Sequence, residues 1–104
     1  MTAFSIILTT ASSEATVEAI TARLLGEKLA ACVQVLPISS AYLWQGTIAR
    51  ENEKLLLIKA KTPDWPDIET AIRAVHDYQT PEILRIDMAD ASQAYLEWIT
   101  AVTR

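Results

Sequence analysis

His76 and Cys32 are the only histidine and the only cysteine in the 104 residues, which limits the metal and nucleophilic chemistry open to one chain. A structural zinc site needs four nitrogen or sulfur ligands. Any metal site here must therefore recruit carboxylates, water or further copies of the chain. His76 falls at the C-terminal end of the second expected helix, where the helix dipole favours a cation and a capping histidine is common. The same imidazole could instead ligate copper or zinc, helped by Glu82 if the intervening loop folds back. Cys32, in Ala31-Cys32-Val33, reads as a structural thiol and a small buried hydrophobe, because nothing around it is electropositive. Tyr42, Trp44 and Tyr78 are suited to lining a ligand cleft or to anchoring an interface, and Pro81 and Trp98 complete that set. Lys59 ends an apolar strand, either as a snorkelling surface lysine or as half of a cross-subunit ion pair. Glu51 and Glu53, alternating with Asn52, read as one wet face of a strand end. No nucleophile and base can be paired, and G-x-G-x-x-G, a phosphate-cradling loop and G-x-S-x-G are all missing. The expectation is that the chain is not an enzyme.

The elements that must position these residues follow from periodicity. Phe4, Ile6 and Leu8 alternate with Ser5, Ile7 and Thr9 as a strand does, and Ser12-Ser13-Glu14 then offers a helix cap with an acid in the first turn. That helix carries Val17, Ile20, Leu24, Leu25 and Leu29 on one stripe and runs to about Leu29, with Gly26 in its interior at a cost of about 1 kcal/mol. Ala31 to Leu36 is a strand that meets Pro37, which marks a bulge, bend or edge. A second extended stretch puts Ser40, Tyr42 and Trp44 on one face before the turn Gln45-Gly46-Thr47, so the two stretches form one long, bent hairpin arm. The return strand runs from Arg50 to Lys61. Thr62-Pro63-Asp64-Trp65-Pro66 opens a second helix, with Thr62 and Asp64 as cap candidates and Trp65, Ile68, Ile72 and Val75 as its stripe. Glu82 to Met88 makes the last strand. Asp90 and Gln93 have capping-box spacing before a short third helix carrying Tyr95, Leu96, Ile99 and Val102. The order β α β β α β α describes an α+β, ferredoxin-like βαββαβ sandwich with an additional C-terminal helix.

Both faces of the expected sheet are apolar. Leu55 and Leu57 oppose Leu56 and Ile58, Ile6 and Leu8 oppose Ile7, and Leu84 and Ile86 oppose Ile83. Helices cover only one face of such a sheet, and the chain is too short to cover the other. A second copy of the chain is the economical cover. Residues 1–104 form one domain on grounds of length, and 51% hydrophobic with 21% charged residues is a globular balance. Thirteen acidic against nine basic residues give a net charge of −4, which disfavours nucleic acid as a partner. With no basic n-region before Ile6 to Leu8, neither a signal peptide nor a membrane span is expected. One cysteine fits a reducing compartment, so the expected location is cytoplasmic.

Leu29 to Gly46, with its Ala-Cys-Val, Pro and Ser-x-Tyr-x-Trp-x-Gly elements, together with Ile58-Lys59, His76-Asp-Tyr-Gln-Thr-Pro-Glu82 and Tyr95-Leu-x-Trp98-Ile, resembles the CutA family of divalent-cation tolerance proteins. The resemblance spans nearly the whole chain. It implies a homotrimer built by strand exchange around a threefold axis, similar in architecture to PII signalling proteins. It also implies a role in tolerance to copper and other divalent cations; animal relatives are linked to anchoring acetylcholinesterase. Some bacterial members carry a copper site made of a cysteine ending strand one and a His-His pair ending helix two. This chain has Thr9 and Val75 at two of those positions, and Asp77 replaces the proline usual after the histidine, so only His76 transfers. The ligand this implies is copper(II) or another divalent cation, weakly held and not obligatory. The alternative is a PII-like sensor or scaffold that binds a small ligand or protein partner in an intersubunit cleft lined by Tyr42, Trp44, Lys59 and Tyr78.

Overall fold

A computed structural model of the chain describes residues 3–104. Strand β1 spans Phe4–Ala11 and helix α1 Glu14–Gly26, and β2 covers Cys32–Trp44 and β3 Thr47–Lys61. A 3₁₀ turn at Thr62–Asp64 leads to α2, Trp65–Val75, which is followed by β4, Ile83–Asp87, and α3, Gln93–Val102.

Ser13 caps α1 by accepting the Thr16 N–H at 3.1 Å, the partner that the first turn lacks. The helix was expected to continue to Leu29 but stops at Gly26, because Lys28 turns left-handed at φ 57°. The Leu29 N–H then reaches the Leu24 carbonyl at 2.9 Å and the Lys28 N–H reaches Leu25 at 3.1 Å. This is the crossed-bond termination of a Schellman motif, with buried Leu24 and Leu29 as its apolar pair. Gly26 is thus the last helical residue, not an interior one, and Leu25 is exposed rather than part of the stripe.

The sheet has the order β2-β3-β1-β4 with every neighbouring pair antiparallel. Of the bulge, bend or edge that Pro37 was expected to mark, no bulge forms and the edge does. The register runs without a slip from Cys32↔Lys59 through Pro37↔Lys54 to Trp44↔Thr47. Because β2 is an edge strand, a residue without an N–H is tolerated there. The hairpin closes on Gln45 (φ 50°) and Gly46 (φ 81°), a two-residue turn that needs left-handed backbone at both positions. Neither Thr62 nor Asp64 caps a helix through its side chain. The Thr62 hydroxyl is instead 2.6 Å from that of Ser5, tying the end of β3 to β1. The cap of α3 is Ser92, which accepts the Tyr95 N–H at 3.3 Å, whereas Asp90 accepts only the adjacent Ala91 N–H.

Helices α1 and α2 cover one sheet face. Ile7, Leu56, Ile58 and Ala60 are buried there against Val17, Ile20 and Leu24 of α1 and Ile68, Ala71 and Ile72 of α2. Truncating Ile58 to alanine in this core would cost about 2–5 kcal/mol. The opposite face is covered incompletely. Ile6, Leu8, Leu55 and Leu57 are only half-buried, and Leu36, Leu84 and Ile86 are 41%, 38% and 46% exposed. Beyond the helices the β2–β3 hairpin carries Leu43 and Ile48, paired across the strands and both widely exposed.

Candidate functional site

Alternation along β2 and β3 decides what the open face presents near the hairpin. Register pairs Ile38 with Glu53, Ser40 with Glu51 and Tyr42 with Ala49, so Tyr42, Trp44, Glu51 and Glu53 share that face. The facing wall is the loop between α2 and β4, which contributes Tyr78 and Glu82. Between the two lies a cleft of about 700 Å³.

His76 fixes this wall. It is the C-cap of α2, its backbone N–H bonds Ile72 at 3.0 Å, and its side chain is fully buried. Its Nδ1 accepts the Tyr78 N–H at 3.1 Å, which leaves the proton on Nε2, 2.7 Å from the Thr10 carbonyl. The ring also lies 4.7 Å from that of Tyr78. Both nitrogens are therefore occupied in joining the end of β1 to the loop, and a metal at Nδ1 would have to displace the Tyr78 amide.

Tyr78, so placed, directs its hydroxyl at Glu53 Oε2, 2.7 Å away, and Glu51 Oε1, 3.3 Å away, while Tyr42 donates to Glu51 Oε2 at 3.2 Å. Burial pushes the Tyr78 phenol well above its usual value of 10.0, a hydrogen bond from Ser12 works against this, and Glu53 and Glu51 raise it further. Tyr42 is raised too, by desolvation and then by Glu51. Both phenols thus hold their protons for the carboxylates.

The candidates named from sequence divide between this cleft and elsewhere. Tyr42, Trp44, Tyr78 and Glu82 line it together; His76 and Pro81 do not, although Pro81 lies between the lining residues Thr80 and Glu82. Lys59 is six residues along β3 from Glu53 and bonds Gln34. Trp98 stacks on Tyr95 of α3 at 5.7 Å. Cys32 is half-buried opposite Lys59, because its place at the start of an edge strand leaves it short of the buried core. Thr9 lies under the helices, fully buried with no hydrogen-bond partner for its hydroxyl among the described residues, and Val75 packs on the core. Among the described residues no three His, Cys, Asp or Glu side chains gather where they could hold a metal ion. With the His76 lone pair engaged, these side chains do not fit a tight copper site.

Glu51 and Glu53 are the residues that sequence reasoning misplaced. Far from forming a wet strand end, Glu53 is 8% exposed. The signal was present in the Gly46 turn, which sets the register that brings Glu51 beside Tyr42.

A family model described as CutA1 divalent ion tolerance protein matches residues 5–102. The divalent-cation tolerance protein CutA of Yersinia pestis is 42% identical over 97 residues, covering 92% of this chain and 82% of the relative. The crystal structure of CutA from Xylella fastidiosa superposes with a TM-score of 0.94 at 33% identity, over 99% of this chain and 100% of that one. The divalent cation tolerance protein of Thermus thermophilus gives 0.92 at 35% identity, over 97% of this chain and 99% of that one.

Proposed function

Because the chain belongs to the CutA1 divalent ion tolerance family, we propose that it serves divalent-cation tolerance as a non-catalytic homotrimer with weak affinity for copper(II) and other divalent ions. The observation that carries the cation reading is that Glu51, Glu53 and Glu82 line one cleft that, among the described residues, no lysine, arginine or histidine lines. Carboxylate oxygens with water bind hard and borderline divalent ions loosely, without selecting strongly among them. Glu82 and its acidic neighbours do not converge on one ion, so each holds a divalent ion singly and loosely, with water completing the coordination. His76 is assigned the task of holding the loop that carries Tyr78, and joins a metal only by giving up the Tyr78 amide. Isothermal titration of the purified protein with copper(II) tests this: a Kd of about 1 μM or weaker is expected, and nanomolar affinity would contradict it.

Assembly rests on the sheet face opposite α1 and α2, where Leu36, Leu84 and Ile86 remain exposed beside Leu57 and Leu8. Covering that row with other copies removes apolar area from water at about 25 cal/mol per Å². A second reading, a PII-like ligand sensor or scaffold, is favoured by the aromatic residues in the cleft, Tyr42, Trp44 and Tyr78.

A further inference from the structure

Glu53 is a carboxylate that the fold has withdrawn from water without supplying a cation. Among the described residues no basic side chain forms an ion pair with Glu53 or Glu51. The donors that reach them are two phenolic hydroxyls, and one of these, on Tyr78, divides its single proton between both acids. Two protons for four carboxylate oxygens leave acceptor capacity unused in the cleft. A buried carboxylate in that condition strongly favours a cationic partner.

The rest of the wall narrows the kind of cation. Trp44, Tyr42 and Tyr78 bring aromatic rings to the cleft, and ring faces attract cations and also pack carbon chains. A space of about 700 Å³ is of the size that takes a small organic molecule, and the acids do not converge to chelate one metal ion together. We infer that the cleft takes a small organic cation, a primary alkylammonium whose N–H donors meet Glu53 and Glu51 and whose carbon chain lies on Trp44 and Tyr42. This rests on the reading of the cleft as a ligand site and adds the chemical class of the ligand.

The test is calorimetric titration of the intact protein with n-butylammonium and, in parallel, with its neutral counterpart 1-butanol. The ammonium should bind with a Kd on the order of 1 mM or tighter, and the alcohol at least about tenfold more weakly, since it lacks the charge. Glu53→Gln keeps an acceptor for Tyr78 while removing the charge, and should weaken ammonium binding about tenfold or more. If that variant does not fold by circular dichroism, the ammonium-to-alcohol ratio in the unaltered protein decides alone. Equal affinity for the two probes overturns the inference, as does unaltered binding in a folded Glu53→Gln protein. Binding that emerges only in Lys59→Met also overturns it, by showing that a neighbouring copy's lysine is the cation the cleft accepts. Absence of ammonium binding beside weak copper binding defeats this inference and leaves the divalent-cation reading standing.

Discussion

Replacing His76 by alanine removes the pin between β1 and the loop that carries Tyr78. Two part-buried backbone groups lose a partner at once, the Thr10 carbonyl at 2.7 Å from Nε2 and the Tyr78 amide at 3.1 Å from Nδ1. A buried group left unsatisfied costs roughly 1–3 kcal/mol. The carbonyl keeps a second lone pair and so falls at the low end, while the amide has no other acceptor within the pin. Together with the void left by a fully buried ring, the loss should be about 2–4 kcal/mol. Urea unfolding at a fixed protein concentration measures it, because an assembling protein's midpoint depends on concentration. Hydrogen exchange over residues 77–82 should quicken in the same variant, as the loop loses its tether. Copper affinity should change by less than about tenfold, since the ring's nitrogens are committed to the protein. A loss below about 1 kcal/mol with unchanged exchange would refute the pinning role, and abolished copper binding in a protein that stays folded would restore His76 as a ligand.

Leu57→Asp places a charge in the row formed with Leu8 and Leu84 on the open sheet face, and an unpaired buried charge cannot be accommodated in an interface. Its mass by light scattering should drop toward that of one chain, and an unchanged mass would refute the assignment of the interface. Tyr78→Phe should cost about 1–3 kcal/mol at neutral pH by leaving Glu53 without its 2.7 Å donor. In the unaltered protein the folded state holds the Tyr78 proton more tightly than the unfolded state, whose value is near 10.0. That stabilisation is complete below pH 10.0 and fades as pH rises toward the raised folded value. The variant should therefore show a flatter loss of stability above about pH 10, and parallel curves for the two proteins would refute the coupling.

The strand and helix order was legible because the patterns are strong: period two through Phe4 to Ala11 and a turn signal at Gly46 where the backbone truly needs positive φ. What escaped depends on contacts between distant segments. Pro37 left a bulge, a bend or an edge open, and the sheet order β2-β3-β1-β4 is what places its strand at an edge. Lys28 carries no local sign that it will turn left-handed to end α1, a position that usually goes to glycine. Thr62 looked like a cap and instead meets Ser5, 57 positions away in the chain. In the site, Tyr42, Trp44 and Tyr78 were recognisable as cleft residues by type. The burial of Glu53 was not, because the residue that covers and hydrogen-bonds it, Tyr78, arrives from the far side of α2.

The proposed assembly through the open sheet face would cover the apolar row of Leu36, Leu84 and Ile86. Light scattering of the purified protein at micromolar concentration measures it directly. The mass should be three times the 11.5 kDa of one chain; a monodisperse mass of one chain would contradict the account.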